Sequence, residues 1–292
     1  MQRRSTFKTS WLPYALILPQ IIITLIFFIW PAGEALWQSM FRGDAFGLHE
    51  KFVWFANFIE LFNNPYYLQS FAVTVIFSIL VAVIALSAAL FMAVLINRVI
   101  KNGPYKSLVI WPYAVAPAIA GVLWRFLFDP AVGVVAYVLQ QFGIHWNYLL
   151  NGKQALFLVI IAASWQQFSY NFIFFLAGLQ AIPKSLIEAA ALDGAGPMAR
   201  FWSIVFPLLS PTTFFLLVMN IIFAFFGTFG VIQTVTQGGP AGATNILVYK
   251  VYYDGFYGLN LGGSATQSVI LLLIVVSLTV IQFRYIERKV HY

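Results

Sequence analysis

Six long runs of apolar residues constrain the fold of this chain more than any other feature of its sequence. A helix needs roughly 20 apolar residues to cross the ~30 Å hydrocarbon core of a bilayer, and none of the runs alternates apolar with polar residues as membrane β-barrel strands do. The sequence therefore predicts an all-α polytopic membrane protein, with residues 1–292 forming a single transmembrane domain. The six predicted transmembrane helices cover residues 13–38, 71–96, 107–128, 155–180, 206–232 and 265–285.

The composition excludes a water-soluble fold and several kinds of site. Apolar residues make up 61% of the chain and charged residues 9%, and the mean hydropathy is +0.86, whereas soluble domains are about 25% charged. Cysteine is absent and the three histidines are far apart in the sequence. Disulfides, thiolate metal sites and cysteine nucleophiles are therefore excluded. We predict no metal site, no cofactor and no catalytic residue.

The basic residues indicate the orientation of the spans. Eleven of the sixteen fall in segments that the six spans would place on one side of the membrane. By the positive-inside rule this side is cytoplasmic, so both termini are predicted to be cytoplasmic. The net charge of +7 thus reports topology, and no nucleic-acid partner is expected. The eleven are Arg3, Arg4, Lys8, Arg98, Lys101, Lys106, Lys184, Arg200, Arg284, Arg288 and Lys289.

The cytoplasmic loop between the fourth and fifth spans begins with the signals of a short helix. Pro183 ends the fourth span, because proline disfavours the helical conformation of the residue before it. Ser185-x-x-Glu188 is typical of a capping box, in which the serine and glutamate side chains satisfy backbone N–H groups of the first turn. A short helix over residues 186–192 is the result expected.

A turn and a second short helix follow in the same loop. Asp193-Gly194 indicates a turn, and Pro197 suits the first position of a helix, which is expected to end at Pro207. The sequence therefore predicts two short helices, at an angle to each other, across the cytoplasmic end of the bundle.

These residues resemble the EAA loop of bacterial ABC importer permeases. The shared pattern is Glu188-Ala189-Ala190, three residues, Gly194, nine residues, Ile204, one residue, and Phe206-Pro207, where the family usually has leucine in place of Phe206. In such permeases the two short helices dock in a groove of a separate ATPase subunit and transmit closure of its dimer. The resemblance implies that the coupling residues within loop 184–207 are Glu188, Ala189, Ala190, Asp193, Gly194, Ile204 and Pro207.

The resemblance covers almost the whole chain and points to the carbohydrate-uptake type of binding-protein-dependent importer. The further matching stretches are Phe28 to Trp37, Pro112-Tyr113-Ala114, Ala116-Pro117, Ser169-Tyr170-Asn171-Phe172, Thr236 to Pro240 and Phe283-Arg284-Tyr285. They are most similar to the A-type permease subunits of glycerol-3-phosphate importers. The resemblance implies a transport subunit, not an enzyme, that moves a small polyol or sugar-type solute, foremost sn-glycerol 3-phosphate, by ATP-driven alternating access. The alternative is a permease for a neutral sugar or oligosaccharide.

The same resemblance implies several partners. No Walker sequence G-x-x-x-x-G-K-[ST] occurs in the chain, so ATP hydrolysis is expected in a separate subunit. The implied partners are two copies of an ATP-binding subunit, a second permease subunit of similar fold, and a periplasmic substrate-binding protein. The implied location is the bilayer of the bacterial inner membrane, where six spans would form half of a pathway.

A polar cluster in the fourth span supplies candidate pathway residues. Polar groups in hydrocarbon usually face the bundle interior or a cavity, and Gln167, Tyr170 and Asn171 share one helical face. Rings and amides together suit a polyol or sugar, while hydrogen bonding between helices is the alternative role. The predicted pathway residues are Trp165, Gln167, Tyr170 and Asn171 of the fourth span, with Asn220, Phe225 and Thr228 of the fifth span, for which structural packing is the alternative role.

Three features outside this cluster complete the predictions. In resembling permeases an outer turn like Gly238-Gly239-Pro240 faces the binding protein, and an ordinary turn is the alternative. Pro112 and Pro117 should bend the third span.

Arg125 near the outer end of the third span has Asp129 four residues on, which predicts an ion pair at the membrane interface. The spans themselves are almost uncharged, so a phosphate would need a partner subunit or helix N-termini for neutralisation.

Two other functional classes are less compatible with the sequence. An ion-coupled secondary carrier generally places acidic residues or histidines within its spans, whereas all nine acidic residues here fall in loops or at span ends. A membrane-embedded enzyme would need a catalytic constellation, and neither H-E-x-x-H nor G-x-S-x-G occurs.

Overall fold

The computed structural model of the chain describes residues 11–43, 50–99 and 109–289, most of which are helical. The long helices are α1 (Leu12–Gln38), α3 (Pro65–Val99), α6 (Gly152–Ala181), α8 (Pro197–Gly227) and α11 (Leu261–Lys289). The shorter helices are α2 (Ala56–Asn63), α4 (Pro117–Leu127), α5 (Val134–Gln141), α7 (Lys184–Leu192), α9 (Phe229–Val235) and α10 (Leu247–Tyr252). Strands β1 (Phe41–Gly43) and β2 (Glu50–Phe52) form an antiparallel hairpin.

Five helices in the described part of the chain are long and apolar enough to cross a membrane. They are α1, α3, α6, α8 and α11, and they correspond to the first, second, fourth, fifth and sixth predicted spans. The all-α membrane fold class is therefore confirmed. The count of six spans and the cytoplasmic location of both termini stay predictions, and Arg3, Arg4, Lys8, Lys101 and Lys106 lie outside the described residues.

The third predicted span is a broken helix. Residues 107 and 108 at its start lie outside the described residues, and Trp111–Ala114 form a short 3-10 turn. Val115 and Ala116 are then extended, with ψ angles of 124° and 142°. At Ala116 the extended conformation follows because proline disfavours a helical conformation at the residue before it. Pro117 opens α4 at the first helical position, where its missing N–H costs nothing. The two prolines thus break the span, where a bend was expected.

Residues 11–43, 50–63 and 251–270 form one compact unit. The buried Asn57 amide donates to the carbonyls of Ser39 and Phe41, at 2.8 Å each, and the Thr266 hydroxyl donates to Ser39 at 3.3 Å. Arg42 forms an ion pair with the Glu60 carboxylate. These bonds connect the end of α1, the hairpin, α2 and the start of α11.

The second unit, residues 64–250 and 271–289 as described, is built around α6. α6 begins where the Asn151 side chain accepts hydrogen bonds from the backbone N–H groups of Lys153 and Gln154. α3 packs along α6 through a stripe of small residues that allows the two backbones to approach closely. The stripe consists of Ala82, Ala85, Ala89 and Ala93, all at most 1% exposed.

α4 and α9 also pack closely in this unit. A β-carbon on Gly230 of α9 would lie 2.9 Å from the backbone nitrogen of Ala118 in α4. That distance is shorter than real β-carbon contacts, so the glycine is required by the close approach of the two helices.

We predict that Gly230→Ala destabilises the protein by about 1–3 kcal/mol, the usual cost of overpacking. The added β-carbon would force the backbone of α4 to move away from α9. The measurement is thermal unfolding in detergent. Gly33→Ala is the matched control, since a β-carbon at this helical position meets no atom within 4 Å. An equal loss of stability in both variants would contradict the close-packing argument.

Candidate functional site

Polar side chains of α6 satisfy backbone groups that the break in the third span leaves free. The Gln166 amide donates to the carbonyl of Val115 at 3.0 Å, and the Ser169 hydroxyl donates to the carbonyl of Val109 at 2.6 Å. Unpaired carbonyls within a membrane cost several kcal/mol each in hydrocarbon. The polar cluster of the fourth span therefore has a structural role in supporting the broken span.

Beside the break lies a cavity of about 440 Å³. Three elements form its wall: the broken span, the middle of α6 and the C-terminal half of α8. The lining residues are Tyr113, Val115, Pro117, Gln166, Gln167, Tyr170, Met219, Ile222 and Phe223. The wall thus combines amides and phenol groups with apolar surface, and none of these side chains is charged.

Gln166 presents an unpaired acceptor at this wall. Gln166 is 6% exposed. Its Oε1 atom is buried without a hydrogen-bond partner, while its Nε2 atom donates to the carbonyl of Val115. A buried acceptor without a partner costs about 1–3 kcal/mol. A side-chain movement that exposed this oxygen to a hydroxyl group in the cavity would remove that cost.

Two tyrosine rings stack at the same wall. Tyr113 and Tyr170 have ring centroids 5.8 Å apart and an interplanar angle of 28°. Tyr170 also packs on Phe174, at 4.8 Å between centroids. The stack fixes both phenol rings beside Gln167, which gives the wall a rigid arrangement of aromatic and hydrogen-bonding groups.

The two predicted asparagines bond to each other. Asn171 and Asn220 are both fully buried, and each amide nitrogen donates to the other's oxygen, at 3.1 and 2.7 Å. Asn220 also donates to the carbonyl of Leu216 at 2.7 Å. This geometry favours the hydrogen-bonding role between α6 and α8 that was the alternative to a pathway role.

The remaining predicted pathway residues lie outside the cavity lining. Trp165 packs edge-on against Trp111 and Trp124, at 6.3 and 6.0 Å. Phe225 is buried, and the buried Thr228 hydroxyl donates to the carbonyl of Ala224 at 2.9 Å. Of the seven predicted residues, the structure brings only Gln167 and Tyr170 to this wall.

Sequence reasoning missed Tyr113, Gln166 and the α8 wall. Tyr113 belongs to a stretch shared with the resembling permeases, and Gln166 is adjacent to a predicted residue, so both carried a signal. Met219, Ile222 and Phe223 are apolar residues in an apolar span, and nothing in their pattern distinguishes a cavity wall from lipid-facing surface.

The first helix of the loop between the fourth and fifth spans is confirmed, but its predicted cap is wrong. α7 starts at Lys184, two residues earlier than expected, after Pro183, and no side chain caps it. The capping box of Ser185 and Glu188 does not form. Ile182 and Pro183 are extended, so the helix starts at Lys184, one residue before Ser185. Glu188 and Ala189 are exposed, and Ala190 is half-buried.

The predicted turn closes α7. Gly194 has φ +81°, a conformation that favours glycine. Its N–H donates to the Ala191 carbonyl at 3.1 Å, and the Ala195 N–H donates to the Ala190 carbonyl at 2.9 Å. These two bonds form a Schellman motif, which leaves Asp193 and Gly194 exposed at the surface.

The second short helix does not end at Pro207. Pro197 starts α8 as predicted, but the helix continues through Ile204 and Pro207 to Gly227. A π-helical turn at Phe201–Val205 precedes Pro207, and such local adjustments let membrane helices tolerate proline. The second short helix of this loop and the fifth span are therefore one continuous helix.

The outer turn after the fifth span is a packed loop. The Thr244 hydroxyl donates to the Gly239 carbonyl at 2.8 Å and contacts the Thr236 hydroxyl at 2.7 Å. Gly238 is buried beside Tyr249, while Gly239 and Pro240 are half-buried. A partner would meet this loop as a preformed surface.

The predicted ion pair of Arg125 and Asp129 is wrong. Arg125 donates to the carbonyl of Thr234 at 3.3 Å. Asp129 instead accepts from the backbone N–H groups of Ala131 and Val132, at 2.9 and 3.2 Å, which holds the turn after α4. Burial raises the pKa of the neighbouring Tyr148, and the Arg125 guanidinium opposes that shift.

In the described part of the chain, no group of three or more histidine, aspartate or glutamate side chains could hold a metal ion. The candidate functional features of the described chain are the cavity beside the broken span and the exposed helix–turn unit of α7.

We predict that Asn171→Ala lowers the free energy of unfolding by about 0.6–2 kcal/mol, the range for hydrogen bonds between membrane helices. Thermal unfolding in detergent measures it. In a double-mutant cycle with Asn220→Ala, the second substitution should cost less than it does alone. Additive effects, or lost uptake at unchanged stability, would contradict the interhelical role.

Comparison with known proteins identifies the family. Residues 9–292 match the model of "Binding-protein-dependent transport system inner membrane component". Two relatives named sn-glycerol-3-phosphate transport system permease protein UgpA are each 58% identical: that of Rhizobium meliloti (strain 1021), over 99% of both chains, and that of Yersinia pestis bv. Antiqua (strain Antiqua), over 99% of this chain and 98% of the relative.

A solved bacterial alginate ABC transporter, in complex with an alginate pentasaccharide-bound periplasmic protein, contains a chain of the same fold. Its TM-score is 0.78 at 22% identity, over 94% of this chain and 93% of that chain. The family match spans nearly every residue and agrees with the membrane helices. The chain therefore belongs to the family of inner membrane components of binding-protein-dependent transport systems.

Proposed function

We propose that the chain is the permease subunit that carries sn-glycerol 3-phosphate through the inner membrane in an ATP-driven importer. The observation that carries the proposal is the polar and aromatic cavity beside the broken span, in a chain that shares 58% identity along its length with permeases named for this solute. Gln166, Gln167, Tyr113 and Tyr170 offer hydrogen bonds and ring surface to the glycerol hydroxyl groups. The partners are a second permease, two ATP-binding subunits and a periplasmic binding protein.

The position of α4 supports the binding of a charged solute. Pro117, the first residue of α4, lies in the cavity wall, and the N-terminus of a helix carries about half a positive charge. Broken helices of transporters use such ends to hold anionic groups. The phosphate would lie toward this helix end and the partner permease, because the described lining residues of this subunit are uncharged.

The coupling proposal concerns α7 and the start of α8. Glu188 and Ala189 are exposed on α7, as a surface that docks on an ATPase must be. Asp193 and Gly194 form the turn that leads into α8, and Ile204 and Pro207 lie within that helix. Movement of α7 would thereby pass directly into the fifth span.

A permease for a neutral sugar is the second candidate. The observation that favours it is the absence of charged side chains among the described residues that line the cavity. The two candidates differ in one measurable property, the charge of the solute that is taken up.

Reconstitution tests both candidates. The complex of both permeases and the ATPase is placed in proteoliposomes with the binding protein outside, and uptake of labelled glycerol 3-phosphate is compared with uptake of a neutral disaccharide. We expect ATP-dependent uptake of glycerol 3-phosphate alone. Disaccharide uptake would favour the second candidate, and uptake driven by a proton or sodium gradient without the ATPase would overturn the proposal.

Glu188→Lys in this assay should abolish uptake and leave membrane insertion intact, because it reverses the charge on the exposed α7 surface. The control is Glu34→Lys, the same charge reversal at an exposed position of α1, which should retain uptake. Normal uptake by the Glu188 variant would exclude the coupling role of this residue.

Tyr170→Phe tests the cavity. The ring and its stack on Tyr113 remain, but the hydroxyl is lost, so uptake should fall about tenfold, the effect of roughly one lost hydrogen bond. The matched control is Tyr137→Phe, which removes the same hydroxyl from an exposed position on α5. If both variants transported equally, Tyr170 would have no contact with the solute.

A further inference from the structure

A second cavity, of about 270 Å³, lies behind the coupling helix. Its wall is formed by the ends of α3 and α6, by Ile187 of α7 and by the first turns of α8. The apolar part of the wall includes Val94, Leu179, Phe201 and Val205. This cavity is separate in its lining residues from the proposed solute cavity.

Arg200 introduces a positive charge into this mostly apolar wall. Its Nε atom is buried and has no hydrogen-bond partner, and no carboxylate of the described residues forms an ion pair with it. An unpaired donor on a charged group is costly when it is shielded from water. The cavity is therefore complementary to an anion.

The cavity lies where spanning helices end. The apolar spans of α3 and α6 end at Asn97 and Ala181, and Asn97 and Leu179 are both in the wall. Trp202, next to the cavity residue Phe201, is 58% exposed, and exposed tryptophans are typical of the membrane–water interface. An occupant at this level can have an anionic head in the polar layer and an apolar chain in the bilayer.

We propose that this cavity binds one anionic phospholipid of the cytoplasmic leaflet. Its phosphate accepts from the Arg200 guanidinium, and the first methylene groups of an acyl chain pack on Val94, Leu179 and Phe201. Basic pockets between membrane helices on the cytoplasmic side bind such head groups. A zwitterionic phospholipid leaves the net charge of Arg200 uncompensated.

Lipid binding at this place would control coupling. α7 has no buried residue, so it is held weakly, and its side chain Ile187 forms part of the cavity wall. A lipid in the cavity fills the space beneath α7 and fixes it against α3 and α8. The regulatory step rests on the proposed coupling role of α7, whereas lipid binding itself does not depend on the solute or on the ATPase.

The test uses the complete importer in nanodiscs of phosphatidylcholine, with or without phosphatidylglycerol, and in phosphatidylcholine with added inorganic phosphate. Native mass spectrometry counts retained phosphatidylglycerol, and ATPase activity is measured with the loaded binding protein. The variants are Arg200→Gln, Val94→Phe to fill the cavity, and Arg284→Gln as the same substitution at an exposed position of α11.

We expect one retained phosphatidylglycerol per chain and higher stimulated ATPase activity in its presence for the unaltered protein and Arg284→Gln. Arg200→Gln should bind this lipid about tenfold more weakly, as the loss of a hydrogen bond to a charged group implies, and Val94→Phe should bind none. Equal retention by all variants, or stimulation by inorganic phosphate alone, would overturn the lipid site. Retention without any ATPase response would overturn the regulatory step only, and failure of glycerol 3-phosphate uptake would leave the lipid count unaffected.

Discussion

The need to pair every backbone polar group inside the bilayer organises the second unit of this structure. Pro112 and Pro117 interrupt the third span, and the carbonyls freed nearby would be costly in hydrocarbon. α6 supplies Gln166 and Ser169 as donors for two of them. A cavity lies beside the same break. The interruption of the third span, which would by itself destabilise the fold, therefore also forms part of the proposed binding wall.

α8 connects the two proposed functional regions in a single element. It begins at Pro197, directly after the turn that closes α7, and its residues Met219, Ile222 and Phe223 form part of the cavity wall. From Pro197 to Phe223 the distance along a helix is about 39 Å. A displacement imposed on α7 therefore needs no further element to reach the cavity. The π-helical turns at Phe201–Val205 and Phe223–Gly227 lie near the two ends of this path, and such turns within α-helices are frequent at functional sites.

The sequence determines different parts of this fold to different degrees. Apolar length alone located five spanning helices, because crossing hydrocarbon leaves few alternatives to a helix. Gly194 was predictable as a turn because few residues accept its φ of +81°. The capping box was wrong because Pro183 acts on the same helix start, and a motif cannot show which of two local signals prevails. The end of the second helix at Pro207 was wrong because the proline rule comes from soluble helices, where water competes for the freed backbone groups.

The candidate site was harder to predict than the fold. Helical periodicity placed Gln167, Tyr170 and Asn171 on one face, but it could not show that Asn171 would find Asn220 on another helix. Asn171 and Asn220 satisfy each other and do not line the wall. Gln166 does line it, and its oxygen is buried without a partner because only its amide nitrogen bonds to the backbone. Which polar residue is available to a solute thus depends on tertiary partners that lie 49 to 51 positions away in the sequence.

Charge explains why one subunit is insufficient for a phosphorylated solute. A dianionic phosphate in a cavity with uncharged walls would lose its hydration without a countercharge, at a cost that excludes occupancy. In the described chain the end of α4 is the positive element of the wall, and half a charge cannot balance a phosphate. The remainder must come from groups that join the cavity on assembly. A partner permease that supplies a cation would make occupancy conditional on the assembled pathway, so the lone subunit would bind the solute weakly and would not act as an uncoupled leak.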